Sequence, residues 1–151
     1  MKQYEQIIFL SMENTLLSPI AEAIYRKNAP ADLPKVISRG LVVLFEEPIN
    51  PKCNMLLTRN SFPMTGHGQS RQIVKEDLEK TSLVITMNLS EKVKFAEDFG
   101  MVEDVYTLGE YVGFDTDLVN PSGAEDEKYQ ECFEEILLRV NRLIQKLKQS
   151  E

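Results

Sequence analysis

The segment that follows the first apolar run of the chain is the strongest candidate for chemistry. The run Ile7-Ile8-Phe9-Leu10 leads into Ser11 and a short loop-like stretch, and then into Ser18-Pro19, a pair typical of a helix start. Where a loop joins a strand to a helix N-terminus, successive backbone N–H groups can converge on an anion. The pattern therefore predicts an anion loop with these candidates: Met12, Glu13, Asn14, Thr15, Leu16, Leu17 and Ser18. Loops of this kind also occur without any ligand, so the pattern alone assigns no function.

The histidine lacks the partners that a catalytic or metal site needs. His67 is the one histidine of the chain and lies between Gly66 and Gly68, with no other site-forming residue beside it. It could act as a base or as a ligand, but a structural role is favoured. The segment from Gly66 to Arg71 also lacks the third glycine of a dinucleotide-binding fingerprint.

The acidic and sulfur-containing residues do not form a recognisable metal site either. The run Glu125-Asp126-Glu127 could hold a cation, but acidic residues at a helix start are more often solvated partners of the helix dipole. Cys53 and Cys132 lie far apart and without metal-ligand spacing, so neither a disulfide framework nor a zinc site is predicted. We expect no cofactor and no metal.

Strand-like and helix-like segments alternate along the chain and must position the loop. Short apolar runs predict strands at residues 5–11, 35–38, 82–87 and 104–107. Helical segments are predicted from Ser18-Pro19 to a point before Pro30, and at residues 51–57, 74–80, 89–99 and 108–112. A long final helix is indicated by an apolar stripe at three- to four-residue spacing, formed by Tyr129, Phe133, Ile136, Leu137, Val140, Leu143, Ile144 and Leu147.

This alternation predicts an α/β fold with a parallel sheet. Right-handed crossover connections place a helix between consecutive parallel strands, so helices cover both faces of the sheet. In such folds, ligands bind at the carboxyl ends of the strands, where the strand order reverses. The loop after the first strand lies at such an end, so the elements point to the same segment as the residue types.

Length and composition indicate one globular domain, residues 1–151. The chain has 151 residues, a net charge of −7 and 42% hydrophobic residues, which fits neither a disordered, a coiled-coil nor a collagen-like chain. The negative charge disfavours nucleic acid and anionic membrane as partners. We recognise neither a signal-peptide core nor a membrane-spanning run, and we expect a cytoplasmic protein with reduced thiols.

The ordered motifs of the chain resemble those of the low-molecular-weight protein tyrosine phosphatase family. In that family a strand ends in Cys, five residues follow, and then an Arg precedes Ser-Pro and a helix with a small-acidic-small start. Here Asn14, Ser18-Pro19 and Ala21-Glu22-Ala23 keep this frame. Further matches are Ser38-Arg39-Gly40, Gly66-His67 with Ser70-Arg71-Gln72-Ile73, residues 83–87, residues 105–111 and Asn120-Pro121-Ser122-Gly123. The resemblance implies a three-layer sandwich with a four-stranded parallel sheet of flavodoxin-like order 2-1-3-4.

The same resemblance places non-catalytic residue types at the family's catalytic positions. Ser11 takes the place of the nucleophilic Cys, Leu17 that of the phosphate-clamping Arg, and Asn120 that of the general-acid Asp. A hydroxyl is not ionised at neutral pH without a base, a leucine offers no donors to phosphate oxygens, and an amide has no proton to give. In addition, Glu13 replaces a loop glycine and Ser122 replaces an aromatic of the substrate groove.

Glu13 also disfavours phosphate binding at this loop. A carboxylate ~5 Å from a phosphate charge would repel it by about 3 kcal/mol at an effective dielectric of about 20, more than the ~0.3–2 kcal/mol that a helix N-terminus contributes.

From the residue types at the catalytic positions, we expect a catalytically silent family member that binds an unknown protein or a small anionic ligand. The alternatives are residual phosphoester hydrolysis by Ser11 with an unrecognised base, and anion binding without catalysis. The sequence names neither a partner nor an oligomeric state.

Overall fold

The central element of the fold is a four-stranded parallel sheet. The computed structural model of the chain describes residues 3–63 and 68–149. The strands are β1 (Gln6–Ser11), β2 (Lys35–Gly40), β3 (Ser82–Thr86) and β4 (Val105–Thr107), and they lie in the order β2-β1-β3-β4. Each of the three pairings is parallel, which confirms the predicted α/β fold and its strand order 2-1-3-4.

Helices connect the strands close to the predicted positions. In the described part of the chain they are α1 (Leu17–Asn28), α2 (Pro51–Arg59), α3 (Leu89–Phe99), α4 (Leu108–Val112) and α5 (Asp126–Gln149). The helix predicted at residues 74–80 is only a short 3-10 helix at Lys75–Leu78. Gly66 and His67 of the predicted loop lie outside the described residues. Among the helices that the structure describes, none is long and apolar enough to cross a membrane.

β1 is buried along its whole length and separates two hydrophobic clusters. Ile7 and Phe9 belong to the larger cluster, whereas Ile8 and Leu10 belong to the smaller one, as expected for side chains that alternate across a strand. The larger cluster contains the predicted apolar stripe of α5, with Leu137 at its partly buried margin. The smaller cluster contains Phe95 of α3. Helices therefore cover both faces of the sheet in three layers.

The strand order places the loop after β1 where the direction of winding reverses. The chain passes from β1 through α1 to β2 on one side, and it later adds β3 on the other side of β1. Leu10 and Thr86 pair near the ends of β1 and β3, and the Met87 amide donates to the Leu10 carbonyl. The loop at residues 12–16 consequently lies beside the turn that begins α3, at the edge where α/β folds bind ligands.

Candidate functional site

A buried cluster of hydroxyl and amide groups occupies the end of β1. Ser11 is only 6% exposed, and its Oγ shares a 2.6 Å hydrogen bond with Ser18 Oγ. The Asn14 amide donates to Ser11 Oγ over 3.1 Å, and Asn14 Nδ2 donates to Ser18 Oγ over 2.9 Å. These partners are hydroxyl and amide groups, so none of them is a base that could ionise Ser11 at neutral pH.

Asn14 fixes the loop to its surroundings. Its backbone has a φ of 58°, a left-handed conformation that Asn tolerates better than most residues. Its Nδ2 also donates to Ser38 Oγ over 3.0 Å, and its Oδ1 accepts from the Arg71 amide over 2.9 Å. Ser38 in turn donates to the buried carboxylate of Glu22 on α1. The loop is therefore held by β2, α1 and the segment around residue 71.

The first turn of α1 differs from the sequence prediction. The Ser18-Pro19 pair predicts Ser18 as the helix cap, but α1 begins at Leu17 and the cap position, Leu16, makes no side-chain hydrogen bond. The physical reason is that the Ser18 hydroxyl is engaged by Ser11 and Asn14 instead. Leu16 and Leu17 are 5% and 3% exposed and belong to the larger hydrophobic cluster. The side chain at the predicted clamp position therefore packs in the core.

The backbone amides of the loop fall into two groups. The Met12 amide donates to Glu91 Oε2 over 2.8 Å, and the Asn14 amide donates to Ser11. By contrast, the amides of Thr15, Leu16 and Leu17 have no acceptor within residues 3–63 and 68–149. Several donors thus remain available at the start of α1, where the helix dipole favours negative charge.

Glu91 was not expected at the site. It is 4% exposed in the first turn of α3, where Oε1 accepts from the amides of Met87 and Asn88 over 2.9 and 3.1 Å. Burial raises the pKa of Glu91 from 4.5 to about 7, although the backbone hydrogen bonds oppose this rise and nearby Asp117 adds to it. The sequence signal was the capping box of Asn88 and Glu91, but that pattern predicts a helix start and not the contact with Met12.

Glu13 and the other loop residues occupy less constrained positions. Glu13 is exposed, so solvent weakens the repulsion that its carboxylate exerts on a bound anion. Met12 and Thr15 are half-buried, and the Thr15 carbonyl accepts from the Asn50 amide over 2.9 Å. Glu13 is thus the one exposed side chain among residues 12–18.

Asn120 lies in the loop that joins α4 to α5. Its Oδ1 accepts from the amide and hydroxyl of Ser122 over 2.9 and 2.7 Å, and both residues are exposed. In the same loop, the Asp117 carboxylate accepts from the Leu89 amide at the start of α3 over 3.2 Å. The beginning of α3 therefore contacts both the loop after β1, through Glu91, and the loop that carries Asn120.

The remaining candidates stand apart from this site. His67 lies outside the described residues. Burial raises the thiol pKa of Cys53 to about 12 and that of Cys132 to about 11, which leaves both thiols protonated and unreactive at neutral pH. Within the residues that the structure describes, no group of three or more metal-ligating side chains is present. Asp126, from the acidic run, pairs with Lys52 over 2.9 Å.

The comparisons with known proteins agree with one another. A sequence profile described as low molecular weight phosphotyrosine protein phosphatase matches residues 6–151. The low molecular weight protein-tyrosine-phosphatase PtpB of Staphylococcus haemolyticus is 30% identical over 138 residues, which cover 91% of this chain and 96% of that protein. The YwlE arginine phosphatase from Geobacillus stearothermophilus superposes with a TM-score of 0.87 at 27% identity, covering 97% of this chain and 94% of that one. A cysteine-to-serine mutant of the YwlE arginine phosphatase, with a phosphorylated active-site serine, gives a TM-score of 0.84 at 28% identity over 95% of each chain.

Proposed function

The chain belongs to the low molecular weight phosphotyrosine protein phosphatase family, and from this premise we propose that it is a non-catalytic member that serves as a binding or regulatory module. The observation that carries the proposal is the chemical character of Ser11, Leu17 and Asn120. A hydroxyl, an alkyl group and an amide stand at the positions where the resemblance expects a thiolate, a guanidinium and a carboxylic acid. None of the three can perform the step assigned to its position.

The surroundings of Ser11 support this proposal. Attack on phosphorus by a hydroxyl requires a base to take its proton. In the described part of the chain, Ser11 Oγ contacts Ser18 Oγ and the Asn14 amide, which are not bases at neutral pH. The Glu91 carboxylate also reaches the loop, but there it accepts from the Met12 amide.

The positions of Leu17 and Asn120 point the same way. Leu17 is packed in the hydrophobic cluster, and a transition-state arginine is worth ~10³–10⁵ in rate in other phosphoryl transfers. The side-chain oxygen of Asn120 accepts hydrogen bonds from Ser122 in its own turn. A general acid at this position would contribute ~10²–10⁴ to the reaction rate. These factors need not multiply, because catalytic residues act as a unit. Loss of the nucleophile alone removes the family's covalent route.

The test is an activity assay with a matched restoration. The purified protein, its Ser11→Ala variant and a variant with Ser11→Cys, Glu13→Gly, Leu17→Arg and Asn120→Asp are assayed on an aryl phosphate, a phosphotyrosine peptide and a phosphoarginine peptide. We expect equal background rates for the protein and Ser11→Ala, and measurable turnover for the restored variant. Turnover by the unaltered protein that Ser11→Ala abolishes would contradict the proposal.

Anion binding without catalysis is a second candidate, and the available amides of Thr15, Leu16 and Leu17 favour it. Titration with phosphate, followed by amide NMR, separates it from the first proposal. Shifts confined to residues 14–18 at millimolar phosphate would support an anion sensor. Unchanged chemical shifts of the amides in this segment would refute the anion-binding candidate.

Residual hydrolysis by Ser11 is tested by searching for its phosphorylated intermediate. In the related YwlE arginine phosphatase mutant, a serine in the active site is phosphorylated. Ser11 would give the same product if it attacked a phosphoester, so mass spectrometry after incubation with an aryl phosphate reports on this route. We expect no phosphoserine at Ser11, because Leu17 cannot stabilise the charge that develops on the phosphoryl oxygens.

A further inference from the structure

Residues 42–47, which follow β2, carry large apolar side chains in solvent. Leu44 is 84% exposed, Phe45 is 81% exposed and Val42 is 41% exposed. Single exposed apolar residues are common on protein surfaces, whereas adjacent ones of this size are typical of contact sites. This segment is therefore a candidate for an interaction surface.

The backbone of this segment is held at both ends, while the side chains of Leu44 and Phe45 lie in solvent. The Val42 amide donates to the Met12 carbonyl over 2.9 Å, and the Val43 amide donates to Gln72 Oε1 over 2.8 Å. At the other end, the Glu47 amide donates to Ser70 Oγ over 2.9 Å. Because both ends of the segment are already fixed, a partner that covers Leu44 and Phe45 has less loop conformational entropy to overcome.

Gly40 makes this segment continuous with the loop after β1. A Cβ atom at Gly40 would lie 2.5 Å from Val43 Cγ2, 3.0 Å from Asn14 Cβ and 3.1 Å from the Glu13 carbonyl carbon. The absence of a side chain at Gly40 therefore lets residue 43 pack closely beside residues 13 and 14. The apolar segment and the exposed Glu13 form one surface.

The charge of this surface is negative. Glu13, Glu46 and Glu47 are exposed carboxylates. A groove of about 340 Å³ beside Leu44 is lined by two positively charged side chains, Arg39 and Arg71. Arg39 is paired with Asp77 over 3.2 Å, so Arg71 is the main opposing charge. With a net charge of −7 on the whole chain, the surface attracts positively charged groups and repels phosphorylated ones.

We propose that residues 42–47, together with Glu13, form a docking surface for a basic segment of a partner protein whose apolar side chains cover Leu44 and Phe45. The inference rests on the proposed function as a binding module and names the chemistry of its partner. Apolar anchors would supply most of the affinity, and the carboxylates would select a cationic partner over an anionic one.

The test uses a short synthetic peptide rich in arginine and phenylalanine, with a matched peptide in which glutamate replaces arginine. Binding to the isotope-labelled full chain is followed by amide NMR at low salt. We expect the basic peptide to shift residues 12–14 and 42–47, and the acidic peptide to leave them unchanged. Affinity should fall as salt is added, since exposed charges are screened.

Variants distinguish specific binding at this surface from nonspecific hydrophobic binding elsewhere on the protein. Leu44→Ser with Phe45→Ser should weaken binding about tenfold or more, and Glu46→Lys with Glu47→Lys about tenfold at low salt. Met101→Ser is the matched control, because Met101 is a fully exposed apolar residue elsewhere on the chain and its loss should change nothing. Circular dichroism verifies that each variant is folded.

Four results would overturn the proposal. They are no binding of the basic peptide, equal shifts with the acidic peptide, an equal loss of binding in Met101→Ser, or tight binding to vesicles rich in phosphatidylserine. The phosphatase assays report separately on the proposed function. Turnover by the unaltered protein would refute catalytic silence and leave the peptide result to be judged by itself, whereas an unbound peptide would refute only the docking surface.

Discussion

Replacing Glu91 with glutamine isolates the proton-linked stability of the loop after β1. In the folded protein the Glu91 carboxylate accepts from the amides of Met12, Met87 and Asn88 at 2.8–3.1 Å, yet burial raises its pKa to about 7. A folded-state pKa above the unfolded value means that the folded protein binds the proton more tightly. The stabilisation from this group is therefore fully present below about pH 4.5 and is lost as the pH rises through about 7.

The size of the effect follows from the two pKa values. A pKa raised from 4.5 to about 7 corresponds to about 3 kcal/mol, of which about 2.5 kcal/mol is lost between about pH 5 and about pH 8. Glutamine is neutral throughout, so Glu91→Gln lacks this dependence. The substitution also removes an oxygen acceptor from one of the backbone amides, but that cost of ~1–3 kcal/mol is nearly independent of pH.

The assay is urea unfolding of both proteins across this pH range. We expect the free energy of unfolding of the unaltered protein, minus that of Glu91→Gln, to fall by about 2.5 kcal/mol from about pH 5 to about pH 8. Other carboxylates, such as Glu110 with its lowered pKa, titrate in both proteins and cancel in the difference. A difference that stays constant within about 0.5 kcal/mol would refute the raised pKa, since additive effects agree to about that precision. Titration of the Met12 amide by NMR should show the same midpoint near 7.

Substitutions at three further positions test the packing of the site by chemical denaturation. Asn14→Ala should cost on the order of 3 kcal/mol, because it removes three side-chain hydrogen bonds, two of them buried, and places alanine at a φ of 58°. Asn14→Gly should recover only the backbone part of this cost. Leu17→Arg alone should cost on the order of 3–5 kcal/mol, because it places a cation in the apolar cluster. Leu17→Met, the control, should cost less than about 1.5 kcal/mol. Equal costs for the two variants would show that the side chain at position 17 can reach solvent. Gly40→Ala should cost about 1–3 kcal/mol and shift the NMR signals of Val43, because the new methyl group overlaps Val43 Cγ2; unchanged stability would indicate that residues 40–43 move apart freely.

The strands and helices followed from patterns that are local in sequence, whereas the strand order was implied by the family resemblance. Continuous apolar runs identify strands that are buried on both faces, and the helical stripe of α5 is unambiguous over its 24 residues. Crossover handedness then predicts a parallel sheet with helices on both faces, and the family resemblance implies its order, 2-1-3-4. The general location of the candidate site followed from the same reasoning, because parallel strands bring their carboxyl ends to one edge.

The details of the site depend on contacts that no local pattern contains. Met12 and Glu91 are separated by 79 positions, and their hydrogen bond exists only because β1 and β3 are neighbours. Ser18 has the sequence features of a helix cap, but burial beside Ser11 and Asn14 gives its hydroxyl better partners than the helix amides. The need for glycine at position 40 likewise arises from packing against Val43.

The first turn of α3 has a consequence for attempts to engineer this protein. The Glu91 carboxylate of that turn accepts from the Met12 amide. The Leu89 amide of the same turn donates to Asp117, which lies in the segment that carries Asn120. The loop after β1 and the loop between α4 and α5 are thus both held by hydrogen bonds to the first turn of α3. A chimaera that imports only the loop after β1 from an active relative would leave the Glu91 carboxylate facing a foreign backbone. Transplantation should therefore exchange residues 12–18, 87–91 and 114–122 as a single cassette.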